Sequence, residues 1–131
     1  MKRLTYALLL FAVMIFASAL AQKGKAETAR RDEAIVEFPE TVKLLDVLLK
    51  GEYLMVHDEE KMAQGFPCFY IYTVKKGKQD ALVVSFHCQH IDREKPDKFS
   101  VRLSNRNSPF ALREVLELQF AGSDDGHGVP K

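Results

Sequence analysis

Two neighbouring runs limit the folds open to this chain more than any other feature. Cys68-Phe69-Tyr70-Ile71-Tyr72-Thr73-Val74 is aromatic and β-branched throughout, and Ala81-Leu82-Val83-Val84-Ser85-Phe86-His87-Cys88 is aliphatic and β-prone. Between them, Lys75-Lys76-Gly77-Lys78-Gln79-Asp80 is polar and holds a glycine. That pattern predicts a β-hairpin. With the turn centred on Lys78, Val74 faces Leu82, Tyr72 faces Val84, Tyr70 faces Phe86 and Cys68 faces Cys88, so the even-numbered residues share one face. A slip of one residue would separate the cysteines and exchange the two faces. The odd-numbered face carries Phe69 and Ile71 opposite the region of Ser85 and His87, an apolar pair open to a partner unless another strand covers it.

The start of the chain sets the chemistry open to those cysteines. Lys2 and Arg3 precede an uncharged apolar run from Leu4 to Leu20, which closes in the small residues Ala17-Ser18-Ala19-Leu20-Ala21. A positive start, a short apolar middle and an A-x-A-like exit make residues 1–21 a signal-peptide helix, cut after Ala19 or, with the better small-x-small fit, after Ala21. The competing reading is an uncleaved membrane anchor, for which the run sits at the short edge of the roughly 17–25 residues needed to span a bilayer. Export to the periplasm or the extracellular space takes the rest of the chain out of the reducing cytosol. Cleavage after Ala21 removes Lys2 and Arg3, leaving 17 Lys+Arg against 18 Asp+Glu, a balance of −1. Near-neutrality argues against a nucleic-acid partner, and no later segment is apolar for long enough to engage a membrane.

Residues 22–34 are polar, without apolar periodicity, and read as a flexible leader. Ile35-Val36-Glu37-Phe38 reads as a strand that stops at Pro39. Residues 41–50 fit either a helix closed by Gly51 or a strand; strand–turn–strand is preferred, with Lys50-Gly51 as the turn feeding Glu52–His57. Asp58–Gly65 is a polar connection with room for one helical turn that points Met62 inward. Phe99, Val101 and Leu103 alternate, as do Leu116, Leu118 and Phe120, which places each set on the inner side of a strand. Residues 122–131 are Gly-rich and read as a flexible C-terminal tail. The expected fold is therefore all-β: a small antiparallel β-sandwich or barrel of about six to seven strands spanning residues 35–121.

Chemistry centres on sulfur and imidazole. Two cysteines in an exported chain predict a Cys68–Cys88 disulfide. Closing a loop of that length stabilises a fold by about 3 kcal/mol in the chain-entropy account. The rival is a copper or zinc site drawing on Cys68, Cys88, His90, His57 and Met62. Against it, neither C-x2-C nor H-x3-H spacing occurs, and alternation turns His87 away from Cys88 and His90. No nucleophile elbow, phosphate-binding glycine loop or H-E-x-x-H helix is present. Ser85 and His87 share a face without a carboxylate placed to orient the imidazole. Asp58-Glu59-Glu60 reads as a solvated turn, and Asp124 with Asp125 are too few for a calcium loop. The sequence thus points away from an enzyme and from a bound cofactor.

G-E-Y-L-M-V-H-D (51–58), M-A-x-G-x-P-C (62–68), V-S-F-H-C (84–88) and F-A-G-S-x-x-G-H-G-V-P (120–130) together resemble a group of small exported bacterial proteins of uncharacterised role. The likeness extends from about Val42 onward; the group often has a Pro-containing turn before G-E-Y where this chain has Leu48-Leu49-Lys50. The resemblance implies a β-rich exported domain and carries no site residues with it. The expected function is a non-enzymatic binding or structural module whose partner is another protein or a cell-envelope component. Metal binding is the alternative.

Overall fold

The computed structural model describes residues 29–131; the expected signal peptide and residues 22–28 of the expected leader lie outside them. The described chain is all-β. Strands β1 (Arg31–Leu44), β2 (Val47–Asp58), β3 (Phe69–Lys75), β4 (Lys78–Phe86), β5 (Gln89–Asp92), β6 (Ser100–Leu103), β7 (Arg113–Gln119) and β8 (Asp125–Gly128) join one sheet, and a single turn of helix, α1 (Glu59–Ala63), follows β2. The strand order is β4-β3-β2-β1-β7-β8-β5, with β6 beside β7. The sheet is open, since β4 and β5 end the path without pairing each other, so it is not a closed barrel.

β7 joins the two halves. Arg113 and Glu114 pair in parallel with Val42 and Lys43 of β1, while Glu117–Gln119 pair with β8. Because Glu117 is opposite both Arg102 and Gly128, β6 and β8 must occupy opposite edges of β7. β3 is four strands away from β8 in the order, yet the Phe69 ring lies 5.8 Å from Phe120 and 5.6 Å from His127. The sheet therefore curls so that its halves face each other across Phe38, Leu44, Leu49, Met55, Phe69, Ile71, Phe86, Leu118 and Phe120, all buried.

Several sequence expectations need correction. The turn after β1 is Leu45-Asp46, not Lys50-Gly51. Leu45 takes φ 51° there, a left-handed conformation with no glycine or asparagine to announce it. Gly51, at φ 88°, instead lies within β2 beside a break in register where Pro39, Glu40 and Thr41 bulge out of β1. The bulge accommodates Pro39, which has no N–H to give the sheet, so β1 runs on past it. Met62 is 49% exposed on α1 rather than inward, because Asp58 caps the helix through Lys61 N–H at 3.1 Å and turns that side to solvent. Leu116 is exposed, whereas Leu118 and Phe120 are buried as alternation requires.

The hairpin forms, but its register differs. Lys76 and Gly77, both at positive φ, make a two-residue turn, so Lys75 pairs Lys78 and Val74 pairs Gln79. Two irregularities then add one β4 residue each, bringing Tyr72 opposite Leu82, and Ile71 and Phe69 opposite Val84 and Phe86. The expected odd-numbered interaction surface is consequently interior: Phe69 and Ile71 are fully buried. One further β4-side residue beyond Phe86 leaves Cys88 beside Cys68, with Cα atoms 6.2 Å apart and a disulfide between them. The cysteines meet beyond the paired strands through three one-residue offsets, not through a hairpin centred on Lys78.

Both ends of the expected domain also move outward. β1 begins at Arg31, inside the expected leader, with Arg31 opposite Asp58 and an Arg31–Asp58 ion pair at 3.3 Å. The expected tail holds β8, whose Gly126 and Gly128 are buried. A side chain at Gly126 would collide with the Glu117 carboxylate and lie 3.1 Å from Arg93 Cγ and the Ile91 carbonyl; glycine is what permits this close approach. Glu117 is itself buried and receives two hydrogen bonds from Arg93, at 2.8 and 2.7 Å, which hold its carboxyl below the usual range.

A buried histidine pair beside the disulfide

His57 lies near the end of β2, opposite Phe69 and Asp32, at a point where Met55, Val56 and His57 are all buried. His127 lies in β8, between Leu118 and His90 on its two neighbouring strands. Curling of the sheet brings the two imidazoles together, each 2% exposed, with ring centres 4.1 Å apart. Phe69 and Phe120 complete the surround, their ring centres 5.6 and 5.9 Å from that of His127. Ligand atoms of His57, His127 and Cys88 lie within 4.8 Å of one another. Cys68 is bonded to Cys88 and adds a second sulfur next to the first, outside this mutual 4.8 Å set.

Burial removes water from both rings and disfavours the charged form. It lowers the pKa of His57, partly offset by Asp125 and Asp32. His127 falls from 6.5 to about 4, through burial first and then repulsion from His57. Both rings are therefore neutral near pH 7, the form in which imidazole has a free lone pair for a metal. His127 Nδ1 lies 3.8 Å from Asp125 Oδ2, so a carboxylate backs the ring from the outer side. His57 Nδ1 has no hydrogen-bond partner, one of two such buried side-chain atoms among the described residues, with Arg113 Nε. An orphaned buried polar atom costs about 1–3 kcal/mol, so its presence in a packed core calls for a reason.

The residues singled out from sequence are separated by the fold. His57 and Cys88 converge, and Cys68 is held nearby by its bond to Cys88. His90 does not join them: it sits on edge strand β5, exposed, with its ring held between Asp92, 2.9 Å away, and Asp125. These two carboxylates raise its pKa, Asp92 first. Met62 is out of reach on the solvent side of α1. His87 is exposed and Ser85 partly buried. His127 was the residue sequence reasoning missed, because an imidazole in Asp-Gly-His-Gly reads as tail. The available signal was the flanking glycines, which also mark close strand packing.

No family model matches this chain, and neither does any curated protein or solved structure.

Proposed function

We propose that this protein is a non-enzymatic binding module, periplasmic or extracellular, and that its reduced, dithiol form takes a zinc or copper ion as ligand. His57, His127, Cys88 and Cys68 would hold the ion in the dithiol form. Two thiolates and two neutral imidazoles make a donor set suited to zinc or to reduced copper. One observation carries the reading: the unpartnered, buried Nδ1 of His57 beside a second buried imidazole and the Cys88 sulfur, to which Cys68 is bonded. A metal would satisfy that nitrogen and take up the thiolates, and Asp125 would orient His127 from behind. With the disulfide closed, neither sulfur is a thiolate, and two imidazoles remain as donors. Export is supported by Lys2-Arg3 and the apolar run after them.

The test compares the disulfide and dithiol forms, each loaded with Zn(II), passed through gel filtration and assayed for metal by elemental analysis. The expected result is one equivalent retained by the dithiol form and none by the disulfide form. His57→Phe and His127→Phe should each weaken retention. A folded dithiol protein that retains no zinc and no Cu(I) would leave the cysteines as a structural staple and overturn the metal assignment.

A further inference from the structure

We propose that the outer face of the β1–β4 half of the sheet is a self-association surface, and that a second copy of this chain packs on it face to face about a two-fold axis. Cross-strand register builds the face. Ile35 lies opposite Leu54, Leu54 opposite Tyr72, and Tyr72 opposite Leu82, so four adjoining strands contribute one apolar side chain each to a single row. The row points away from the core: Ile35 is 49% and Leu82 53% exposed, and Leu54 and Tyr72 are partly exposed. Tyr72 is steadied by stacking on Tyr70, with ring centres 6.4 Å apart, and Lys61 Nζ of α1 covers the Tyr70 ring at 4.4 Å. A groove of about 420 Å³ opens on this face, lined by Ile35 and Leu54 of the row, by Glu33 and by the Gly77–Gln79 turn. Single exposed apolar residues need no partner, but a continuous row beside a groove marks a contact surface.

The charges around the row identify the occupant. Glu37 and Glu52 stand opposite each other on β1 and β2, both exposed, and Lys75, Lys76 and Lys78 are exposed at the β3–β4 turn. None of the five has an ion-pair partner among the described residues. Like charges placed opposite one another repel, so each cluster gains from a partner of the other sign. Along the strands, both clusters lie on the same side of the apolar row. Consider a two-fold axis between two such faces, parallel to the strands and midway between β2 and β3. It sets Ile35 of each copy over Leu82 of the other, and Leu54 over Tyr72. The same rotation carries Glu37 and Glu52 of each copy to the lysine-bearing end of β3 and β4 in the other. Apolar meets apolar and acid meets base, twice over, which is the self-complementarity an isologous dimer requires of a single patch.

Pairing through the open edge of β4 is the less favourable way to join two copies. That strand carries Lys78 and Asp80 and is broken by two irregularities, at one of which the Ala81 N–H donates to Thr73 Oγ1 at 2.9 Å. Charges and bulges of this kind blunt a sheet edge. Packing by faces leaves the edges alone and sets the two sheets about 10 Å apart, as in a β-sandwich. One short row with a charged cluster at each end makes a small interface, so the dimer is weak and reversible. Unfolding followed at low protein concentration therefore reports the monomer.

The inference does not rest on the metal reading, and its test uses no metal. Sedimentation equilibrium is run on the disulfide form at low ionic strength, from about 5 to about 500 µM protein. The expected result is a monomer–dimer equilibrium with no larger species, shifted toward monomer in about 1 M salt. Leu82→Glu should weaken association at least about tenfold, by burying a carboxylate against Ile35. Leu48→Glu, at an exposed position outside the row, should leave association unchanged. Lys78→Glu and Glu37→Lys should each weaken association several-fold, and the two together should restore it, because the swapped charges meet again across the axis. Circular dichroism checks that each variant is folded, and the compensating pair reads the same interface should Leu82→Glu fail to fold. A monomer at every concentration, a dimer indifferent to Leu82→Glu, or charge reversals that do not compensate would each overturn the assignment.

Discussion

Replacing His127 by phenylalanine should make the protein markedly less sensitive to acid. Above pH 6.5 the ring is neutral in both the folded and the unfolded chain and contributes nothing to pH dependence. Below that, the unfolded chain takes up the proton first, because folded His127 does so only near pH 4. Falling pH therefore favours unfolding across the window from 6.5 down to about 4. Over the full gap the loss approaches about 3 kcal/mol, and between pH 7.5 and pH 5 it amounts to about 2 kcal/mol. Phenylalanine keeps an aromatic ring among Phe69, Phe120 and His57 and removes the proton acceptor. Two other histidines titrate nearby. His57 is also lowered, chiefly by burial, and adds acid sensitivity of the same sign. His90 is raised by Asp92 and Asp125, so its contribution is present at low pH and lost as pH rises, the opposite sign. Both remain in the variant; their own burial and carboxylate contacts cancel in the difference, while the His57–His127 repulsion is lost with the ring. The assay is urea unfolding of the disulfide form from pH 7.5 to pH 5, extrapolated to water for each protein. The difference between variant and parent should move in the variant's favour by about 2 kcal/mol over that range. Parallel stability curves would show that His127 is not buried neutral, and would refute the reasoning.

Three further outcomes follow from the packing. Gly126→Ala drives a methyl group into the Glu117 carboxylate and against Arg93 and the Ile91 carbonyl; thermal and urea unfolding should show a loss of about 2 kcal/mol. Phe69→Ala should cost about 4 kcal/mol by urea unfolding, while Leu82→Ala, on an exposed side chain, should stay within about 0.5 kcal/mol, and the reverse ranking would restore the hairpin register centred on Lys78. Replacing both cysteines by alanine opens a loop whose ends are 20 residues apart, and urea unfolding at pH 7 should show about 3 kcal/mol lost.

Alternation and composition made the strand content readable. Phe99, Val101 and Leu103 pack against the core, and Leu118 and Phe120 lie in it, as period-two patterning requires. Other features depended on partners that are distant in sequence. Leu45 adopts a left-handed turn conformation without the residue type that usually signals one, so the β1–β2 turn was invisible. Extra residues in β4 offset the register, so the odd-numbered Phe69 and Ile71 of β3 are interior while the even-numbered Phe86 of β4 stays in the core. At the site, Cys68, Cys88 and His57 carry donor atoms that can be read in one dimension. His127 could not be read that way, because its ordering depends on two glycines packing against Glu117, Ile91 and Gln89. Exclusion of His90 and Met62 likewise follows from edge-strand and helix-cap geometry, not from their chemistry.

Cobalt(II) absorption spectroscopy on the dithiol protein tests the shared donor set of His57, His127, Cys68 and Cys88 most directly. Thiolate–cobalt charge-transfer bands and intense visible bands of a four-coordinate ion, saturating at one equivalent, are the predicted result. The visible bands should shift in His57→Phe and in His127→Phe, and both sets of bands should be missing from the disulfide form. Cobalt bound only as a weakly absorbing six-coordinate ion, or spectra unchanged by removing either imidazole, would contradict the account.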